Sequence, residues 1–304
     1  MSEGRRVSIA LVVFLLVAPV LGGCSLSVSI GGEDGPEVGV GDVLQGAKAY
    51  QHWRAARTVL SPEARATLGR TSAARLVARH GLVDDPEAHD YLDRVGQSLV
   101  WVSKRPETWD DYHFLILDGD QPNAYACPGG LVLVTRGLLE TLDDEDMLAA
   151  VLAHELAHLE LEHAEQLIDK KQWKKFRSAA LGALGASVGV DALATLLGTM
   201  TTDHVDALTV RGYGRDFELA ADARAVELLV HSGYSPHALD RVLATLRRGD
   251  EGKGTFRRTH PDLNKRRREL RGPLADDGSE VPEVRRQRFA AAFAGLRSVE
   301  PADP

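Results

Sequence analysis

The chain opens with Arg5 and Arg6, runs uncharged from Val7 to Leu21, and reaches Gly22-Gly23-Cys24. A charged start and an apolar stretch short of the ~20 residues that cross a bilayer predict an export signal over residues 1–23. Residues 25–41 are rich in Gly, Ser and acid, which predicts a flexible tether over 24–41. From Asp42 the apolar positions Val43, Leu44, Ala47 and Tyr50 take helical spacing. Ser61-Pro62-Glu63 marks another helix start, and a third helix begins near Pro86 with Tyr91, Leu92, Val95, Leu99 and Val100 three or four residues apart. Residues 112–117 (YHFLIL) predict a strand closed by Asp118-Gly119-Asp120. A second strand follows at Leu131–Thr135 (LVLVT), after Asn123-Ala-Tyr-Ala-Cys-Pro-Gly-Gly130. Helices resume at Gly137. Helices, a small central sheet and more helices predict a mainly helical α+β domain over 42–271. A charged tail with one short amphipathic helix follows at 272–304.

Composition narrows this picture. With 304 residues, 44% hydrophobic and 26% charged, the chain is neither fully disordered nor polytopic. A chain of this length buries enough surface to fold without structural metal, so a metal site in it is functional. The net charge of -8 argues against nucleic acid as a partner. Leu21-Gly22-Gly23-Cys24 resembles a bacterial lipobox, which makes Cys24 a lipid-bearing residue and the mature chain a membrane-anchored exported lipoprotein. Ser25 carries no inner-membrane retention signal, so the expected place is the periplasmic face of the outer membrane. With Cys24 modified, Cys127 has no disulfide partner and is expected to be a small buried residue.

Candidate chemistry lies in His154-Glu155-Leu-Ala-His158, an H-E-x-x-H string in a helical pattern that follows the acidic run Asp143-Asp144-Glu145-Asp146. Four-residue spacing puts both imidazoles on one helix face, near enough to share one ion. Two neutral histidines and a carboxylate suit Zn2+ and leave a position open for water, whose proton Glu155 can take. His163 lies roughly 140° further round the helix and is expected to support the site from behind. Glu218 and Asp222, four apart in a second helical segment ending at Gly233, supply the missing carboxylate: one binds the ion while the other orients a ligand histidine. Ala220 and Ala221 between them suit close packing against the His154 helix.

Four motifs in order carry a resemblance: Asn123-Ala-Tyr-Ala-Cys-Pro-Gly-Gly with Gly137-Leu-Leu139, then HELAH, then Glu218-x-x-x-Asp222, then Thr259-His260-Pro261 with Arg266. Together they resemble the zinc metallopeptidases that include CAAX prenyl proteases, HtpX-type membrane proteases and periplasmic BepA-like lipoproteins. The resemblance implies a zincin-like fold and one Zn2+ held by His154, His158 and Glu218. It makes Glu155 the general base and Asp222 a supporting residue. It also implies protein or peptide substrates, cleavage of misfolded or misassembled envelope proteins, and a place beside an envelope assembly complex.

The same resemblance makes Leu131–Thr135 the edge strand that holds extended substrate, with Gly129 and Gly130 admitting another backbone and Asn123 binding a peptide group or fixing the turn. His260 either stabilises the oxyanion catalytically or fills the open position on zinc and silences the enzyme. Arg266 pairs with a carboxylate near the site or caps the following helix. Arg267 stands where the family often has an apolar residue. The apolar stretch at 179–200 is expected to form a packed helical pair or lid, and the Lys-rich run at 170–175 a solvated face or a contact with an anionic bilayer. The competing reading is a zinc-stabilised chaperone or assembly scaffold with little or no proteolysis.

Overall fold

The computed structural model describes residues 62–108, 110–167, 212–249, 256, 259–271 and 281–296, with two short strands at 27–29 and 37–39. The chain divides into Met1–Arg57 and Thr58–Pro304. In the first unit β1 (Ser27–Ser29) pairs antiparallel with β2 (Glu37–Gly39), so the expected tether contains a paired ribbon. Each strand has a valine flanked by small or polar residues, the period-two alternation that strands tolerate. The signal, Cys24, the helix expected from Asp42, the run at 170–175 and the stretch at 179–200 lie outside the described residues.

The second unit starts with α1 (Pro62–His80), which has proline at its first position and ends at Gly81, whose φ of 77° closes the helix. Next, α2 (Pro86–Val100) is capped by Asp85, whose side chain accepts from Ala88 N at 3.1 Å. Its apolar stripe is buried, and Gly96 leaves room for Phe114, whose ring a Cβ would meet at 2.4 Å. The strand Phe114 occupies, β3 (His113–Leu117), belongs to a sheet with β4 (Ala124–Cys127) and β5 (Leu131–Thr135).

Strand order corrects one expectation. The sheet runs β3-β5-β4, so Leu131–Thr135 is the central strand and Ala124–Cys127 is an edge. β5 pairs antiparallel with β4 and parallel with β3, which puts its four buried residues between two partners. Both arrangements show the same apolar strings in sequence, and only the docking of β3 selects between them.

After the short α3 (Arg136–Leu139) comes α4 (Glu145–Glu160), buried at every position but Leu159. A helix apolar around its whole circumference belongs at the centre of a domain. Accordingly α4 packs against α2, β4, α6 (Arg215–His231), α7 (Ala238–Gly249) and α9 (Glu283–Ala292). The short α5 (His163–Leu167) and α8 (Leu263–Arg271) complete the described helices. The core extends past the expected end of the domain: Phe289, Phe293 and Leu296, from the region read as a tail, are buried in it. No helix among the described residues is long and apolar enough to cross a membrane.

Candidate metal centre

Asp144 caps α4 by accepting from Met147 N at 2.9 Å, with Glu145 and Asp146 in the first turn, where the helix dipole favours acid. Three turns on, His154 and His158 share a face with their Nε2 atoms 3.1 Å apart. Glu218 comes from α6, with Oε2 3.5 Å from His154 Nε2 and Oε1 3.5 Å from His158 Nε2. Ala153 and Ala157 on α4 and Ala221 and Ala225 on α6 are fully buried, the small surfaces that let two helices approach closely. Ala220, expected to share that role, faces outward.

The geometry distinguishes Glu218 from Asp222. Asp222 Oδ1 lies 3.0 Å from His154 Nδ1, behind the ring, while Glu218 joins His154, His158 and His260 in a buried group whose donor atoms all lie within 4.8 Å of one another. Arg266, 1% exposed, clamps both acids: it donates to Glu218 Oε2 at 2.6 Å and to Asp222 at 2.6 and 2.7 Å. Burial opposes the charge on Glu218, but His260 and Arg266 outweigh it and hold the carboxyl well below the usual range. Asp222 is lowered in the same way, with burial opposed by Arg266 and His154. Burial and Arg266 push His154 down, yet Asp222 and Glu218 prevail and lift it to about 9, so this point attracts positive charge.

His158 is held neutral by burial and by His154. Its Nδ1 meets Nδ1 of His163 at 2.8 Å. Burial and His154 lower His163 to about 4, so both rings are neutral and share one proton between their Nδ1 atoms. With that proton on His158, its Nε2 presents a bare lone pair. Two converging Nε2 atoms and the buried Glu218 Oε1, which has no hydrogen-bond partner among the described residues, form a donor set that could hold a metal ion.

Glu155 is 1% exposed, and burial raises its carboxyl above the ordinary range against the pull of His260 and His154. Its Oε2 has no partner among the described residues, and Oε1 lies 3.8 Å from His260 Nε2. His260 stacks on Phe256 with centroids 4.5 Å apart, and its Nδ1 is 3.2 Å from Glu218 Oε2. The preceding Thr259 donates to Asn123 Oδ1 at 3.2 Å, and that oxygen also accepts from Ala124 N at 3.0 Å. Asn123 thus fixes the start of β4 and ties it to the His260 loop. Arg267 pairs with Asp240 of α7 at 2.7 Å, which satisfies its charge at the position where the resembled family often has an apolar residue.

Gly129 and Gly130 sit apart from this cluster. Their φ values of 85° and 106° suit glycine, and a Cβ would strike Ala66 at 2.6 Å and Asp111 at 2.5 Å. The backbone that a Cβ would meet here is this chain's own. Cys127 is fully buried, and burial pushes its thiol up.

Residues 86–274 match peptidase family M48. The chain belongs to that family. Every residue of the cluster falls inside the matched M48 region, whereas α1 and α9 lie outside it. The chain is 30% identical over 173 residues to the beta-barrel assembly-enhancing protease of Escherichia coli (strain K12), covering 54% of this chain and 34% of that protein. It is 28% identical over 183 residues to the mitochondrial metalloendopeptidase OMA1 of Schizosaccharomyces pombe, covering 59% and 51%. The chain thus spans about a third of the length of the assembly-enhancing protease it matches.

One residue beside the metal centre carried no sequence expectation. Tyr213 stacks on His158 with centroids 4.1 Å apart and is 4% exposed. The signal that could have found it is the string Gly212-Tyr213-Gly214 just before the Glu218 helix, where two glycines flank an aromatic.

Proposed function

We propose that this M48 member is a zinc-dependent endopeptidase. The observation that carries the reading is a buried triad of His154, His158 and Glu218 beside a Glu155 whose Oε2 is buried without a partner among the described residues. A zinc ion here would supply Lewis-acid polarisation of the substrate carbonyl and activation of water. His154, His158 and Glu218 would hold it. Asp222 fixes His154 from Nδ1, His163 fixes His158, and Arg266 keeps both carboxylates charged and oriented. Glu155 accepts the proton of the attacking water at Oε2 and returns it to the leaving nitrogen; burial, by raising its basicity, suits it to both steps.

Substrate lies along β4. Thr135 N donates to Asn123 O, so by the antiparallel alternation Tyr125 and Cys127 face β5, and the peptide groups of Ala124 and Ala126 point to the outer edge. Ala124 N is engaged by Asn123, which leaves Ala126 to pair with an extended peptide.

The position of His260 favours a second state of the same protein. His260 lies in the same donor group, and were it to take the fourth position on zinc it would close the ligand set as in structural sites, which do not hydrolyse. In that state His260 would silence the resting enzyme, or zinc would support a scaffold. Casein cleavage by the mature chain, with and without chelator and with Glu155→Gln and His260→Ala, tests both. The peptidase reading requires chelator-sensitive cleavage that Glu155→Gln abolishes and His260→Ala increases. Stoichiometric zinc with no cleavage by either wild type or His260→Ala selects the scaffold.

The wider setting rests on the lipobox at Cys24 and on the relative named for beta-barrel assembly: a lipid-anchored exported protein acting on misassembled envelope proteins. Labelling with radioactive palmitate, lost in Cys24→Ala, tests the anchor.

A further inference from the structure

The peptidase reading leaves one requirement unmet. Attack of water on a peptide carbonyl moves an electron pair onto the carbonyl oxygen, and a hydrogen-bond donor aimed at that oxygen lowers the barrier. His260 belongs to the candidate ligand group itself, with Nδ1 3.2 Å from Glu218 Oε2 and Nε2 3.8 Å from Glu155 Oε1, so the peptidase reading assigns it to the ion and leaves the carbonyl oxygen without a donor.

Tyr213 meets the requirement. It is 4% exposed, yet its hydroxyl makes no hydrogen bond among the described residues. Buried donors are almost always paired, and one left unpaired calls for an explanation. Its ring lies against a metal-binding histidine, with His158 at 4.1 Å and 19° between the planes. It also packs in the same cluster as Tyr125 and Cys127 of β4, so it bridges the metal centre and the edge along which substrate runs. Glu155, the proposed base, also has an Oε2 without a partner among the described residues. An unpaired donor and an unpaired acceptor thus adjoin the same metal centre.

The backbone holds Tyr213 in place. Gly212 has φ of 66°, and a Cβ there would lie 2.1 Å from Thr259 O, the same oxygen that accepts from Tyr213 N at 3.2 Å. Only glycine fits, and the resulting turn sets the ring against His158 without any side-chain anchor for its hydroxyl.

We infer that Tyr213 is a catalytic residue whose hydroxyl donates a hydrogen bond to the carbonyl oxygen of the scissile peptide as negative charge develops there. This deepens the peptidase reading and rests on it. The tyrosine keeps its proton throughout. Water oxygen bonds to the carbonyl carbon, the π pair moves to the oxygen facing Tyr213, and Glu155 takes the water proton. The C–N bond then breaks, and the nitrogen leaves with the proton from Glu155.

Tyr213→Phe isolates the hydroxyl, because the ring, its stacking and its burial persist. For cleavage of casein by the zinc-loaded mature chain, kcat should fall about 100-fold with KM little changed. Affinity for a phosphonamidate peptide, which presents a tetrahedral oxyanion, should weaken by a similar factor. Zinc content should stay at one per chain and the unfolding temperature should hold or rise, because a buried unpaired hydroxyl is gone. Unchanged kcat and phosphonamidate affinity in Tyr213→Phe would limit Tyr213 to packing and overturn the inference while leaving the peptidase reading intact. A marked drop in unfolding temperature would reveal a structural partner for the hydroxyl and also count against it. If neither wild type nor His260→Ala cleaves casein or binds the phosphonamidate, the peptidase reading falls, and this assignment with it.

Discussion

The two ends of α4 bury acids for different ends. At its N-terminus Asp144, Glu145 and Asp146 are buried, and each meets an arginine from elsewhere in the fold: Arg241 of α7, Arg288 and Arg285 of α9. Tyr91 and Tyr234 add hydrogen bonds to Glu145 at 2.7 and 3.2 Å. At the other end the His154–His158 face also buries charge, but Glu155 Oε2, Glu218 Oε1 and the Tyr213 hydroxyl lack partners among the described residues. Every acid at the first end has an arginine, with only Asp146 Oδ2 left over, and these pairs join helices; at the other end the polar atoms without partners are available to an ion and a substrate. The contrast separates stability from chemistry along one helix of 16 residues.

Substitutions that affect one end and spare the other test that separation. The largest effect is expected from Glu155→Gln, which should cut peptide cleavage about 10³-fold at unchanged unfolding temperature and zinc content. At the opposite end Phe289→Ala, which empties a fully buried site on α9, should cost about 3–5 kcal/mol of stability in denaturant titration. Per folded molecule its kcat should match wild type; a proportionate fall in kcat would show that the two ends are coupled.

Asp222→Asn should weaken zinc affinity about 10- to 100-fold, measured by competition with a chromogenic chelator, because His154 loses its anionic partner. The smallest effect concerns Glu165 of α5, 3.3 Å from Arg65, which burial raises from an ordinary 4.5 to about 7 despite that arginine. A carboxyl raised in the folded state stabilises the protein fully below its unfolded pKa, and this contribution is lost as pH climbs through the folded value. Unfolding temperature should thus decline from about pH 5 to about pH 8, and Glu165→Gln should flatten the decline. An equal decline in both proteins would remove Glu165 as its source.

Much of the metal centre was legible because helical spacing is local geometry. His154 and His158 had to share a face, and His163 could not join them there. The choice between Glu218 and Asp222 was not local: both face α4 one turn apart, and the packing of α4 on α6 together with Arg266 decides which carboxylate reaches the ion site. The same limit hid the strand order. The apolar strings at 113–117 and 131–135 look alike, and parallel docking of β3 moved Leu131–Thr135 from edge to centre. Gly129 and Gly130 were rightly read as places of close backbone approach, but sequence could not say whose backbone approaches. The region after residue 272 read as charged because its arginines dominate, while Phe289 and Phe293 enter the core beneath them.

By itself, then, the sequence determined most helices, the strands at 113–117 and 131–135 and the paired histidines, each a consequence of spacing over a few residues, and the motif resemblance named Glu218 over Asp222. Tertiary structure alone decided that Ala124–Cys127 pairs as a strand and offers the edge, and that Tyr213 lies against His158. Those outcomes depend on contacts between segments tens of residues apart, where burial assigns partners to some polar atoms and leaves others free to act.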